Sequence, residues 1–214
     1  MAERMDHPVG DLEFGQKVQL TRSLMPSLPS FGFVERLSFN GKVWIFSDAD
    51  ENDRVTGQTS FAATTPTWMI DVPAGMTLIP LFVNLTQAGT VAGGDVSIRI
   101  SIDSALRHSS GGTSEKGFNA RTNYGGNPPV LCRSGATATS GYGIRLFSAV
   151  TAPDVSPAEG AVQGPYWSAE VPMFLDGPAS FLVYTEAGTT GPTWEWTIGV
   201  AADTTARINA LFGE

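Results

Sequence analysis

The sequence predicts an all-β protein, an antiparallel jelly-roll or Greek-key β-sandwich of about eight to ten strands. Charged residues make up only 16% of the chain, which contains 24 glycines and 14 prolines. This composition favours short strands joined by turns. Val96, Ile98, Ile100 and Ile102 alternate with polar residues, as in a strand that is buried on one face. No long helical pattern alternates with the strands, so a parallel α/β fold is not expected.

Strand candidates follow one another along most of the chain. Val72-Pro73-Ala74-Gly75 has the residues of a chain-reversing turn between two of them. Residues 104–117 are polar and glycine-rich, which predicts an exposed loop. Eleven segments are candidates for the eight to ten strands: residues 42–46, 59–63, 67–72, 77–86, 95–103, 118–124, 130–133, 142–150, 167–175, 179–186 and 193–201.

The chain divides into three predicted parts. Residues 1–40 are expected to form an extended N-terminal arm, because the prolines of residues 25–30 cannot continue a helix or a central strand. Residues 41–202 form the sandwich domain, and residues 203–214 form a tail, either a short amphipathic helix or a second arm. Apolar residues of the arm and the tail are the candidate partner-binding residues: Leu12, Phe14, Leu24, Met25, Leu28, Phe31, Phe33, Leu211 and Phe212.

Charge and hydropathy exclude several classes of partner. The formal net charge is −8, and lysine and arginine form no cluster, which disfavours direct contact with nucleic acid. No run of apolar residues approaches the ~18 of a membrane helix, and the N-terminal residues do not resemble a signal peptide. We therefore expect assembly in a cytoplasm, without a membrane partner.

One acidic segment has the ligand spacing of a calcium loop. Asp48, Asp50 and Asn52 occupy its first, third and fifth positions, but Asp53 stands where the loop needs glycine and Thr59 where it needs glutamate. The alternative is a solvated acidic turn, which we favour. No metal or other cofactor is expected.

Catalytic constellations are weak. His108 lies in a polar loop, no nucleophile elbow follows a strand, and Cys132 sits in an apolar run typical of a buried thiol. The sequence therefore predicts that the protein is not an enzyme.

A sugar site is a further alternative. Glu170, Glu186 and Glu195 lie near aromatic residues, an arrangement found in glycosidases and carbohydrate-binding modules. Strand alternation instead turns Trp194 and Trp196 inward and Glu195 outward, so the tryptophans are predicted to be core residues.

Two segments resemble viral jelly-roll proteins, in particular a capsid-decorating (cement) or accessory capsid protein of a tailed bacteriophage. Residues 72–81 (VPAGMTLIPL) are similar to the turn and strand of such domains, and residues 181–200, with the turn Thr-Glu-Ala-Gly, to their closing strand pair. The resemblance covers about half the chain. It implies a homotrimer that binds a larger capsid protein, stabilises the virion through its arm, and assembles in the host cytoplasm.

The alternative function is a receptor- or carbohydrate-binding module of a head fibre or tail. This alternative requires exposed aromatic residues at loop tips, for which Tyr124, Tyr166 and Trp167 are the candidates.

Overall fold

The computed structural model describes residues 32–48, 54–88, 95–141, 143–151, 167–187 and 193–210. The chain divides into two compact units, Met1–Phe33 and Val34–Glu214. Nearly all the described residues belong to the second unit, which is a sandwich of two antiparallel sheets. The predicted all-β sandwich is confirmed.

The described residues form thirteen strands and two short helices. The helices are α1 (Phe33–Phe39) and α2 (Thr205–Ala210). The strands are β1 (Val43–Ser47), β2 (Val55–Thr56), β3 (Trp68–Val72), β4 (Met76–Gln87), β5 (Val96–Asp103), β6 (His108–Ser114), β7 (Gly117–Asn119), β8 (Leu131–Ala138), β9 (Ile144–Thr151), β10 (Trp167–Ser168), β11 (Leu175–Asp176), β12 (Ala179–Ala187) and β13 (Thr193–Thr204).

The strand order is that of a jelly roll. One sheet runs β10-β4-β13-β1-β7 and the other β6-β8-β3-β12-β5-β9. Eight strands form the jelly roll when β2, β11 and the strands β6 to β8 are set aside. The first of the eight pairs with the last (β1 with β13), and the second pairs with the next to last (β3 with β12). Likewise β4 pairs with β10, and β5 with β9. Such a rolled antiparallel hairpin consists of two Greek keys, as predicted.

Strand alternation creates the core between the sheets. Val96, Ile98 and Ile100 of β5 are buried, and the inward residues of β13 are Trp194, Trp196 and Ile198. The rings of Trp68 and Trp196 meet across the sandwich, with their centroids 5.4 Å apart. The predicted faces of β5 and β13 are therefore confirmed.

A second apolar cluster covers the outer face of the β3–β12 sheet. Phe61 packs against Tyr184, with ring centroids 5.3 Å apart, and the guanidinium of Arg99 lies 4.2 Å from the Phe61 ring centroid. The predicted strand at 59–63 is wrong, because this segment crosses over the sheet. The side chain of Gln58 bonds the backbone of Ala62 and Thr65 and so holds the crossing in place.

Residues between β5 and β9 close one side of the sandwich. β8 extends one sheet beside β3, and β7 extends the other beside β1. The predicted loop at 104–117 is therefore wrong in part. Its exposed serines and glycines form β6, which has almost no buried side chain, so no alternation marks it in the sequence. The predicted strand at 167–175 is broken into β10 and β11.

Each of the two helices lies in a segment that was predicted to be an arm or a tail. α1 lies inside the stretch predicted to be an extended arm, and its Leu37 is buried. The amphipathic alternative for the tail is confirmed for residues 205–210, where α2 buries Ile208. Asp203 accepts contacts from Lys42 at 3.1 Å and Arg207 at 3.6 Å, so it ties α2 to the chain after α1.

Two phenylalanines on neighbouring strands provide a matched test of this core. Phe46 of β1 is 0% exposed, whereas Phe118 of β7 is 46% exposed. We expect Phe46→Ala to lower the free energy of unfolding by about 3–5 kcal/mol, through lost burial and the cavity left behind. Phe118→Ala should change it by about 0.5 kcal/mol or less. Urea denaturation of both variants measures the difference, and equal losses would contradict the assignment of β1 to the core.

Candidate functional site

The acidic turn contributes one described carboxylate to the predicted cation site. Burial raises the pKa of Asp48, backbone N–H groups of Asp48 and Trp196 oppose that rise, and Glu195 adds to it. Glu195 itself pairs with Arg54 at 3.0 Å, which places a cation beside the turn. Asp50 and Asn52 lie outside the described residues. Within the described ranges, no group of three or more potential ligands could hold a metal ion.

A serine, an aspartate and the backbone next to a histidine come together in the fold, but their hydrogen bonds hold a loop in place. The hydroxyl of Ser180 donates to Asp71 Oδ1 at 2.5 Å, and this carboxylate also accepts the backbone N–H groups of Arg107 (3.2 Å) and His108 (3.1 Å). Ser180 is fully buried, and the His108 ring nitrogen lies 3.1 Å from the Gly111 carbonyl oxygen. Asp71 therefore anchors the chain between β5 and β6, and the Ser180 hydroxyl is not accessible to a substrate.

The alternative of a sugar site on exposed tryptophans finds no support in the described surface. Trp167, Trp194 and Trp196 are all buried in the core. Glu186 pairs with Arg99 at 3.3 Å, so it and Glu195 are both held by arginines and lie on different sheets. These residues do not form a cleft with paired carboxylates.

Cys132 is a buried core residue. Burial, together with the charge of Glu115, raises the thiol pKa well above its ordinary value. The thiol therefore stays protonated and inert, in agreement with the sequence-based interpretation.

The predicted partner-binding residues are almost all outside the described ranges. Phe33, the first residue of α1, is the exception, and its side chain is half-buried. The others are Leu12, Phe14, Leu24, Met25, Leu28, Phe31, Leu211 and Phe212. Their predicted role stays a prediction.

The structure brings together exposed aromatic residues whose proximity the sequence does not predict. Phe39 of α1, Phe118 of β7 and Tyr124 are respectively 64%, 46% and 42% exposed. The Arg121 guanidinium lies 4.8 Å from the Phe39 ring centroid and 5.8 Å from that of Tyr124, while the Lys116 ammonium lies 5.0 Å from that of Phe118. We call these five residues the aromatic–basic edge. Only Tyr124 was singled out from the sequence.

The opposite side of the sandwich carries a groove between β9 and β10. Its larger part, about 530 Å³, is lined by Leu146, Phe147, Trp167 and Met173 among others, and a second hollow of about 260 Å³ lies beside Ile144 and Phe174. We call the two together the β9–β10 groove. Val171 at its rim is 71% exposed and Ile144 is 70% exposed. Large apolar side chains exposed together indicate an interaction surface.

Comparisons with protein-family models, with curated proteins and with solved structures found no match to this chain. None of the helices in the described ranges is long and apolar enough to cross a membrane.

The shifted pKa of Asp48 predicts a pH effect on stability. Because folding raises this pKa, the native state binds an additional proton between the ordinary and the raised value. The contribution of Asp48 to stability is therefore largest below that window and is lost as pH rises through the folded pKa. Asp48→Asn should weaken this loss and make the protein more stable than wild type at neutral pH.

Urea denaturation across about pH 3 to 8 measures the effect. Asp95→Asn, at an exposed carboxylate, is the control and should follow the wild-type curve. If Asp48→Asn has the same pH dependence as wild type, the desolvation of Asp48 is contradicted.

Proposed function

We propose that the chain is a structural virion protein that binds and stabilises a phage capsid, as a cement, decoration or minor capsid protein. The observation that carries this proposal is the strand order, which pairs first with last, second with seventh, third with sixth and fourth with fifth. This order occurs in viral capsid domains, although lectins and cupins use it as well.

Two properties of the described residues favour a virion role over the other jelly-roll functions. Histidine-rich ligand sets hold the metal of a cupin, whereas His108 contacts a backbone carbonyl here. The surface instead displays two apolar areas on opposite sides of the sandwich, as expected for a subunit that contacts neighbours on more than one side. The proposed partners are further copies of the chain, forming a homotrimer, and a larger capsid protein. Assembly takes place in the host cytoplasm, without nucleic acid, a membrane or a cofactor.

A receptor- or carbohydrate-binding module is the second candidate. Exposed Tyr124 and Phe118 favour it, because flat aromatic rings beside polar donors can stack on sugars. Trp167, which this alternative would place at a loop tip, is buried, and Tyr166 lies outside the described residues. A glycan array distinguishes the candidates: specific binding of one glycan class would favour this second function.

Deletion of the N-terminal residues tests the proposed function. The deletion ends at residue 31, because Leu37 of α1 is buried and its loss would damage the folded domain. We expect a chain lacking residues 1–31 to keep its thermal unfolding transition and to lose binding to capsid particles lacking the native protein, measured by co-sedimentation.

A full-length chain with Leu24→Ser and Leu28→Ser keeps the test informative if the deletion variant does not fold. This variant should also lose particle binding, because the substitutions remove apolar contact area from the predicted arm. Normal decoration by either folded variant would overturn the role of the arm. Failure of the wild-type protein to bind particles would overturn the proposed function.

A further inference from the structure

Two exposed surfaces lie at opposite ends of one sheet. In the order β10-β4-β13-β1-β7, β7 carries part of the aromatic–basic edge and β10 forms one wall of the β9–β10 groove. At about 4.8 Å per strand, the end strands are about 19 Å apart. The two surfaces therefore face away from each other, and within one copy neither can cover the other.

The aromatic–basic edge is built to present flat rings beside positive charge. Arg121 donates from Nη1 to the carbonyl oxygen of Phe39, and its backbone N–H donates to Asn119 Oδ1 at 2.9 Å. These bonds hold the guanidinium between the rings of Phe39 and Tyr124. Lys116 is exposed beside Phe118, while the neighbouring Glu115 contacts the hydroxyl of Ser134. The charged groups that lie over its rings are those of Arg121 and Lys116.

The β9–β10 groove has the complementary character. Its larger part combines apolar side chains with polar groups, and the exposed carboxylate of Glu170 stands in the lining between Trp167 and Val171. The smaller hollow adds Asp103 and Asp176, of which Asp103 is paired with Arg107 and Asp176 accepts from Thr77. Arg145 on β9 is the cation nearest in sequence to these walls. A partner surface with rings and cations would bury the apolar side chains and approach Glu170.

We propose that the aromatic–basic edge of one copy packs into the β9–β10 groove of the next copy. The inference rests on the proposed function, since it identifies the contact by which that structural protein assembles. The two surfaces differ and lie on opposite sides, so the contact is heterologous. Repeating a heterologous contact closes into a ring when the rotation between copies allows it, and otherwise extends into an open filament. A sugar ligand would explain the exposure of the aromatic–basic edge alone. A second copy of the chain explains the exposure of both the edge and the groove.

Two variants block one surface each. Val171→Lys with Ile144→Lys places positive charge in the groove at strongly exposed positions, so the fold should be unaffected. Lys116→Glu with Phe118→Asp reverses the charge of the opposite edge and removes a ring. Leu106→Lys, at an exposed apolar position that belongs to neither set of residues, is the control. In sedimentation experiments each double variant should be a monomer, and the control should assemble as wild type does.

Mixing the two double variants gives the decisive result. Each retains the surface that the other lacks, so the heterologous contact predicts a 1:1 heterodimer that grows no further. A contact between identical surfaces predicts no complex on mixing and leaves one double variant assembled on its own. Three results would overturn the proposed contact. The first is the absence of a complex on mixing, with one double variant assembled on its own. The others are assembly of both double variants as in wild type, and a wild-type protein that is monomeric.

Particle binding separates this proposal from the proposed function. If the wild-type chain decorates capsid particles while the groove and edge variants still assemble normally, the virion role stands and the proposed contact fails. If the edge variant loses glycan binding while its assembly is unchanged, the aromatic–basic edge is a sugar site. If the wild-type chain forms rings but binds no particle, the contact stands and the virion role fails.

Discussion

The insertion of β13 between β1 and β4 is the constraint on which the rest of the fold depends. β13 pairs with β4 from Trp194 to Thr204, with a register shift at Gly199/Val200, and with β1 along its other edge. It thereby joins the two ends of the described domain and supplies Trp196 and Ile198 to the core. Because the paired residues are distant in sequence, forming these pairs costs loop-closure entropy. Burial of the completed core offsets that cost.

The rolled topology also determines where apolar side chains remain exposed. Closing the hairpin leaves the sandwich with two lateral sides. Strands β7 and β8 extend both sheets on one side, and the exposed rings of the aromatic–basic edge lie beside β7. On the other side β9 and β10 come together with a groove between them. The positions of the exposed apolar side chains are thus consequences of how the strands roll up, and the polar cluster around Asp71 inside the domain anchors a loop.

Asp71 shows why chemistry-bearing residues do not by themselves indicate a catalytic site. Its carboxylate satisfies two backbone N–H groups and a buried hydroxyl, which makes it a loop anchor. A buried polar group needs such partners, and once they are made the group has little capacity for a substrate. Ser180 and His108 lie near it for the same structural reason.

Sequence alone determined the fold class and the inward faces of the long strands. Alternation in β5 and β13 is visible because each strand has one face in the core, and burial selects apolar residues there. The sequence also identified Cys132, Trp194 and Trp196 as core residues. It did not reveal β6, because an exposed strand of serines and glycines is held by backbone hydrogen bonds, which leave no pattern in side chains.

Only the tertiary structure decided where the exposed apolar residues meet. Ile144 and Val171 are 27 residues apart in the sequence, and Phe39 and Phe118 are 79 apart, yet each pair contributes to one surface. Their apolar character was readable, but apolar residues predict burial, and exposure depends on which strands become the lateral strands of the sandwich. That choice is made by long-range pairing, above all by β13, and no local pattern in the chain encodes it.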